Sequence, residues 1–195
     1  MYIIDRECVF ELGVKKSKFI AQSFIVDSEN AVKERLNIIA ESHRGATHNC
    51  YAYRIKTENS VNERRCDDGE PGGTAGGPIL AVLSGEAFVN TLVVVTRYFG
   101  GVKLGTGGLV SAYKKSTSEV LKLSGKIQFE VIPVYSIKLS INKSDDLIRI
   151  LNRENIRILS KEFHDEVVVR ASFNKKQISV IDMLRERFNC VCEIE

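Results

Sequence analysis

The sequence predicts an α+β protein in two parts, residues 1–127 and 128–195, the second of them ferredoxin-like. Three observations carry that reading. Eleven of the fourteen glycines fall between Gly69 and Gly108 and none follows Gly125, so the chain changes character there. Before that point, strand and helix periodicities alternate around two glycine-rich runs. After it they read β-α-β-β-α-β, the order of a split βαβ unit. With 44% apolar residues over 195 positions, there is enough material for a real core.

In the first part, Cys8 to Lys15 and Ser17 to Val26 read as two strands joined by a turn near Lys16. Ser28 caps a helix from Glu29 to Ser42, with Ala31, Val32, Leu36 and Ile39 on one side. Ala46 to Ile55 alternates as a strand, and Val61 to Cys66 continues the sheet. Gly73 or Thr74 opens a short helix through Ala81 and Leu83. Phe88 to Phe99 is the strongest strand, and its Val93-Val94-Val95 centre implies burial on both faces. Gly105 or Thr106 opens a long helix that Gly125 ends. The expected layer has its helices on one side of the sheet.

In the second part, Tyr135, Ile137, Leu139 and Ile141 alternate with polar neighbours as a half-buried strand. Leu147, Ile148, Ile150 and Leu151 mark a helix. Ile156 to Phe163 and Val167 to Phe173 form a hairpin around His164-Asp165. Ile178, Ile181, Leu184 and Phe188 mark a second helix, and Cys190, Cys192 and Ile194 point one way on a closing strand. This fold hosts many functions and nominates none.

Composition narrows the classes. No apolar stretch reaches the eighteen or so residues that span a bilayer, and Met1 to Arg6 lacks the order of a signal peptide, so a cytoplasmic protein with no membrane partner is expected. The five cysteines lack CxxC spacing and read as small buried hydrophobes, with no metal site and no cofactor expected. The net charge is +3: residues 1–126 hold 17 Lys and Arg against 14 Asp and Glu, and the remainder is neutral. That excess sits in the glycine-rich part but specifies little by itself, and no DNA specificity is expected.

The chemistry concentrates in two runs, Asp67-Asp68-Gly69-Glu70-Pro71-Gly72-Gly73-Thr74-Ala75-Gly76-Gly77-Pro78 and Arg97-Tyr98-Phe99-Gly100-Gly101-Val102-Lys103-Leu104-Gly105-Thr106-Gly107-Gly108-Leu109. Each precedes a helix, which places unpaired backbone N–H groups at a helix start. Such a start makes an anion-binding surface or packs a helix closely on a sheet. Lys103 is placed for an external anion between two glycine pairs. Arg97, at a strand end, either grips a phosphate or neutralises Asp67, Asp68 or Glu70. Lys114, Lys115, Lys122 and Lys126 either extend a basic strip along the last helix or form a solvated face. His48, Asp67, Asp68 and Glu70 form a candidate cluster. Its carboxylates suit a Mg²⁺ site, an exposed turn, or a partner for Arg97 or His48. His48 reads as a structural histidine, as a general base, or as a pair with Cys50. The runs follow neither the GxxxxGK[ST] nor the GxGxxG order.

With Ala46-Thr47-His48-Asn49-Cys50-Tyr51-Ala52-Tyr53 added to the two runs, residues 17–126 closely resemble the Impact family. The resemblance implies a first domain with the fold of domain 2 of ribosomal protein S5. It implies a ferredoxin-like second domain similar to domain V of elongation factor G. It also implies a role in translation through RNA, ribosome or factor contacts. Eukaryotic relatives bind a scaffold protein through an additional N-terminal domain, and that partner is not carried over. Ser111 stands where relatives often carry Arg, a departure that bears on an anion grip at the helix start.

The expected function is therefore that of a nonenzymatic, translation-associated protein that binds RNA, the ribosome or a translation factor. Its nucleic-acid-binding residues are Arg97, Gly100, Gly101, Lys103, Gly105, Gly107, Gly108, Lys114 and Lys115. Two other classes stay open: a nucleotide- and Mg-dependent small-molecule enzyme with no assigned catalytic residue, and a pure protein-interaction module.

Overall fold

The computed structural model describes residues 1–57, 60–130 and 132–194. The chain divides into two compact units, Met1–Phe129 and Glu130–Glu195. Glycine placement, strand alternation and helix capping build each of them.

The first unit is organised around a five-stranded antiparallel sheet. Its strands are β2 (Cys8–Val14), β3 (Ser17–Ile25), β4 (His48–Lys56), β5 (Val61–Cys66) and β6 (Thr91–Tyr98), in the order β2-β3-β6-β4-β5. The apolar run of β6 puts it at the centre, buried from Thr91 to Arg97. Side chains alternate across a strand, so Val93 and Val95 enter one core while Leu92 and Val94 enter another.

Helix α1 (Glu29–Ser42) covers the Leu92 and Val94 face through Val32 and Ile39. Its start is fixed by Ser28, whose Oγ accepts the Ala31 amide at 3.3 Å. Helices α2 (Gly76–Gly85) and α3 (Gly105–Ser124) cover the other face. The helices thus lie on both sides of the sheet, which corrects the one-sided layer expected from sequence. A central strand with no polar face needs two covers, and the Val93-Val94-Val95 triplet already demanded them.

Along α3, Leu109, Ala112, Tyr113, Ser116, Thr117, Val120, Leu121 and Ser124 form one buried stripe at helical spacing. The stripe is half small and hydroxyl residues, and Ser124 Oγ lies 2.7 Å from Ser23 Oγ on β3. Gly125 ends the helix with φ +73°, where a Cβ would stand 3.2 Å from that of Asp5. Two short strands, β1 (Tyr2–Ile3) and β7 (Ile127–Gln128), then pair antiparallel and bind the two ends of the unit together. Two-residue strands fall below any sequence periodicity, and neither is predicted above.

The second unit contains β8 (Val134–Leu139), α4 (Ser144–Arg153), β9 (Arg157–Phe163), β10 (Val167–Ser172), α5 (Ile178–Phe188) and β11 (Val191–Ile194). The sheet order β11-β8-β10-β9, all antiparallel, is ferredoxin-like. One core joins Ile137, Leu147, Leu151, Val169, Phe173, Leu184 and their neighbours. The closing strand differs from expectation. Asn189 turns the chain in the left-handed region, so Cys190 precedes β11, and Ile194 at its end is 64% exposed. No helix among the described residues is long and apolar enough to cross a membrane.

Candidate functional site

The first glycine-rich run is an internally neutralised turn. Asp67 follows β5 and points its carboxylate at the chain entering α2. Its Oδ1 accepts the amides of Ala75 at 3.0 Å and Gly76 at 2.8 Å, and its Oδ2 accepts the Gly73 amide at 2.8 Å. Burial raises the carboxyl's pKa. The three amides, with Arg65 nearby, outweigh burial and hold it below the ordinary carboxylate range. The segment predicted to begin the helix is therefore its cap, and α2 starts at Gly76. Only glycine fits there, since a Cβ would lie 2.8 Å from the Cys66 backbone.

Asp68 and Gly69 complete the turn with φ of +43° and +82°. Asp68 Oδ2 accepts the Asn49 amide at 2.6 Å, and its carbonyl lies 2.7 Å from His48 Nδ1. A carbonyl only accepts, so His48 carries a proton on Nδ1. Among the described residues no group of three metal-ligating side chains comes together.

Glu70 turns inward and joins a buried network. Arg97 Nη1 donates to Glu70 Oε1 at 2.6 Å, and the Tyr113 hydroxyl donates to the same oxygen at 2.8 Å. Cys50 Sγ lies 3.3 Å from the Tyr113 oxygen and 2.9 Å from the Asp67 carbonyl, to which its proton points. Burial foremost, with nearby carboxylates, pushes the Cys50 thiol up to about 12. Burial likewise pushes the Tyr113 phenol up. Cys50 is thus a protonated core thiol bonded to Asp67 and Tyr113, which removes the His48–Cys50 pairing considered from sequence.

Arg97 is 5% exposed, and of its two readings from sequence the internal one is present, with Glu70 as the carboxylate it neutralises. The guanidinium is already neutralised by Glu70 and lies 5.5 Å from the Phe19 ring centroid and 5.4 Å from that of Phe99. Among the described residues its Nε has no acceptor, and Nη1 alone of its nitrogens makes a hydrogen bond. The residue is an internal cation with donor capacity left over.

The second run behaves differently. Gly100 is required by packing: its amide donates to Ser17 Oγ at 3.2 Å, and a Cβ would come within 2.0 Å of the Lys16 backbone. Gly101 and Gly105 take φ of +82° and +75°, swinging the chain into α3. Leu104 precedes the helix and offers no side-chain cap. The amides of Gly105, Thr106 and Gly107 therefore have no intrahelical acceptor, and no other partner among the described residues covers them. All three residues are exposed, as is Lys103. Gly108 sits lower, where a Cβ would stand 3.0 Å from that of Leu104.

These parts enclose a cleft of about 430 Å³. One wall is Lys103, Leu104, Gly105, Thr106 and Leu109; the others are Thr47 and His48, Glu70 and Pro71, and Arg97 and Phe99. Thr47 fixes the rim, its Oγ1 accepting the Phe99 amide at 3.0 Å. Lys114 and Lys115 are exposed on α3 but do not line the cleft. Phe99 is 46% exposed and went unassigned from sequence. The available signal was its position one residue past the last strand residue, where the chain leaves the core.

The two helix starts thus form a contrast inside one domain. The first already holds an anion, the Asp67 carboxylate. The second is uncapped and opens on a cleft that carries Lys103.

Comparison with known proteins places this arrangement. The model of the Impact N-terminal domain matches residues 15–121, more than half of the chain. The chain is 45% identical over 124 residues to IMPACT family member YvyE of Bacillus subtilis, covering 64% of this chain and 57% of that one. The chain therefore spans little more than half the length of that relative. It is 29% identical over 167 residues to IMPACT family member YigZ of Escherichia coli, covering 85% of this chain and 82% of that one. It is 31% identical over 180 residues to an IMPACT family member of Haemophilus influenzae, covering 91% and 87%. A solved structure of a hypothetical protein shares the fold, with a TM-score of 0.83 and 26% identity over 99% of this chain and 95% of that one. The family-model match and the near full-length relative agree with the motifs at both glycine runs: the chain belongs to the Impact family.

Proposed function

We propose that this protein acts in translation by binding RNA, on the ribosome or free, with a phosphate held at the start of α3. The observation that carries the reading is the pair of helix starts. A helix start concentrates partial positive charge equivalent to about half an elementary charge, and it favours an anion. At α2 that anion is built in. At α3 the amides of Gly105, Thr106 and Gly107 have no partner among the described residues, these residues are exposed, and Gly105 and Thr106 line the cleft with Lys103, so the anion comes from outside.

RNA is the anion that fits the family's resemblance to translation proteins. Lys114 and Lys115, exposed on the same helix, extend the positive field along a neighbouring strand. The Mg-dependent enzyme reading loses support because its three carboxylates are engaged internally: Asp67 by amides, Asp68 by Asn49, and Glu70 by Arg97 and Tyr113.

Co-sedimentation with ribosomes and with free single-stranded RNA across a salt series tests this function. Binding should weaken as salt rises, and Lys103→Ala should reduce the slope of log K against log salt by about 0.7 to 0.9, one phosphate contact. An unchanged slope in the variant contradicts the assignment. Ribosome binding that survives nuclease treatment points to a protein partner instead.

A further inference from the structure

We propose that the cleft takes the phosphorylated end of a single RNA strand, one terminal phosphate with its nucleoside, in preference to a stretch of continuous backbone. This rests on the phosphate-binding reading above and narrows it to a ligand class.

Charge counting is the first argument. Arg97 and Glu70 cancel, at 2.6 Å from one another and buried. What remains at the cleft is Lys103 and the α3 start, about one and a half positive charges. That compensates one phosphate. A continuous backbone presents a charge at every nucleotide and is met by a stripe of cations. Lys114 and Lys115 lie outside the cleft, so such a stripe does not run through it.

Shape and chemistry of the walls give the second argument. Beside the anion position stand Pro71, Phe99, Leu104 and Leu109, an apolar surface that a chain of phosphates and riboses does not need. Phe99 has Arg97 at 5.4 Å from its ring centroid and keeps 46% of its surface open, a platform for a base. A cleft of about 430 Å³ is in the range of small-ligand sites and holds a single nucleotide.

The third argument is the surplus of donors. Arg97 is nine-tenths buried and lines the cleft; its Nε is sealed from solvent, whereas its Nη2 is not sealed and makes no hydrogen bond among the described residues. A buried guanidinium short of acceptors is costly, and base edges and phosphate oxygens supply them. Uncapped amides, Lys103, an aromatic platform and an under-bonded arginine converge on a nucleoside phosphate.

The test uses the full chain and fluorescence anisotropy of one twelve-nucleotide single strand labelled internally. It is prepared with a 5′-phosphate, with a 3′-phosphate, or with hydroxyls at both ends. One phosphorylated form should bind about tenfold tighter than the dihydroxyl strand, and which one identifies the end recognised. Lys103→Ala and Phe99→Ala should each erase that difference while leaving the thermal unfolding transition sharp. Direct titration with adenosine 5′-monophosphate separates the two sources of the same chemistry. Affinity equal to the phosphorylated strand assigns a free nucleotide, and weaker affinity assigns the strand end. Equal affinity for all three strands overturns the end-specific site while the RNA-binding function stands. No binding of any strand overturns both.

Discussion

Arg97 and Lys103 face the same cleft and have opposite duties. Arg97 is held by Glu70 under the sheet's end, whereas Lys103 is exposed and unburdened by core packing. Glu70→Ala leaves a guanidinium buried without its counterion, and a loss of about 3–5 kcal/mol in denaturant unfolding is expected. Lys103→Ala should stay within about 0.5 kcal/mol of the parent in the same measurement while weakening RNA binding. Strand parity placed Arg97 on the face with Val93 and Val95, and that much was legible. Which acid meets it was not, because Glu70 arrives from a turn whose inward direction depends on the left-handed backbone at Asp68 and Gly69. The core status of Tyr113 could be read from the α3 stripe. Its bond to Glu70 could not, since it joins residues 43 positions apart.

At the level of elements, two glycine-rich helix starts look alike in sequence and differ in one carboxylate. Asp67→Ala removes acceptors from three amides of the α2 cap, and a loss of about 2 kcal/mol or somewhat more is expected. The pH dependence has a defined sign. The folded-state pKa of Asp67 is depressed, so its contribution is complete above the unfolded carboxylate value of about 3.9 and is lost as pH falls through the lower folded value. Acid titration of unfolding free energy in parent and Asp67→Asn should therefore converge at low pH.

Gly107 offers the complementary case on α3. A Cβ there meets nothing within 4 Å, and alanine favours helix by up to about 1 kcal/mol. Gly107→Ala should hold or raise the melting temperature and weaken RNA binding by crowding the amides. Most element centres were legible, and the bounds of α1 and β5 to the residue, with Ser28 marking the start of α1. The α3 start at Gly105 was legible as well, but the α2 start was not, since a cap reaching back from Asp67 to Gly76 leaves no local pattern.

The described residues form three cores that share no residue, two on opposite faces of the first unit's sheet and one in the second unit, and the first unit is closed by the β1–β7 pair, beside which Phe129 N–H donates to the Met1 carbonyl at 3.1 Å. Residues 1–129 alone should fold and show cooperative unfolding. The ferredoxin-like order was legible because six apolar patterns, each of strand or helix period, follow one another without insertion. The pairing of the chain's first residues with Ile127 and Gln128 was not, since it rests on two residues a side. The central claim is that α3 begins at an open anion receptor and α2 at a filled one. Backbone amide NMR of the full chain, titrated with the more tightly bound of the 5′- and 3′-phosphorylated single-stranded RNAs, tests it most directly. The largest shifts should fall on Gly105, Thr106 and Gly107, with Gly73, Ala75 and Gly76 unmoved. Unperturbed α3 amides at saturating RNA, or equal shifts at both helix starts, would contradict it.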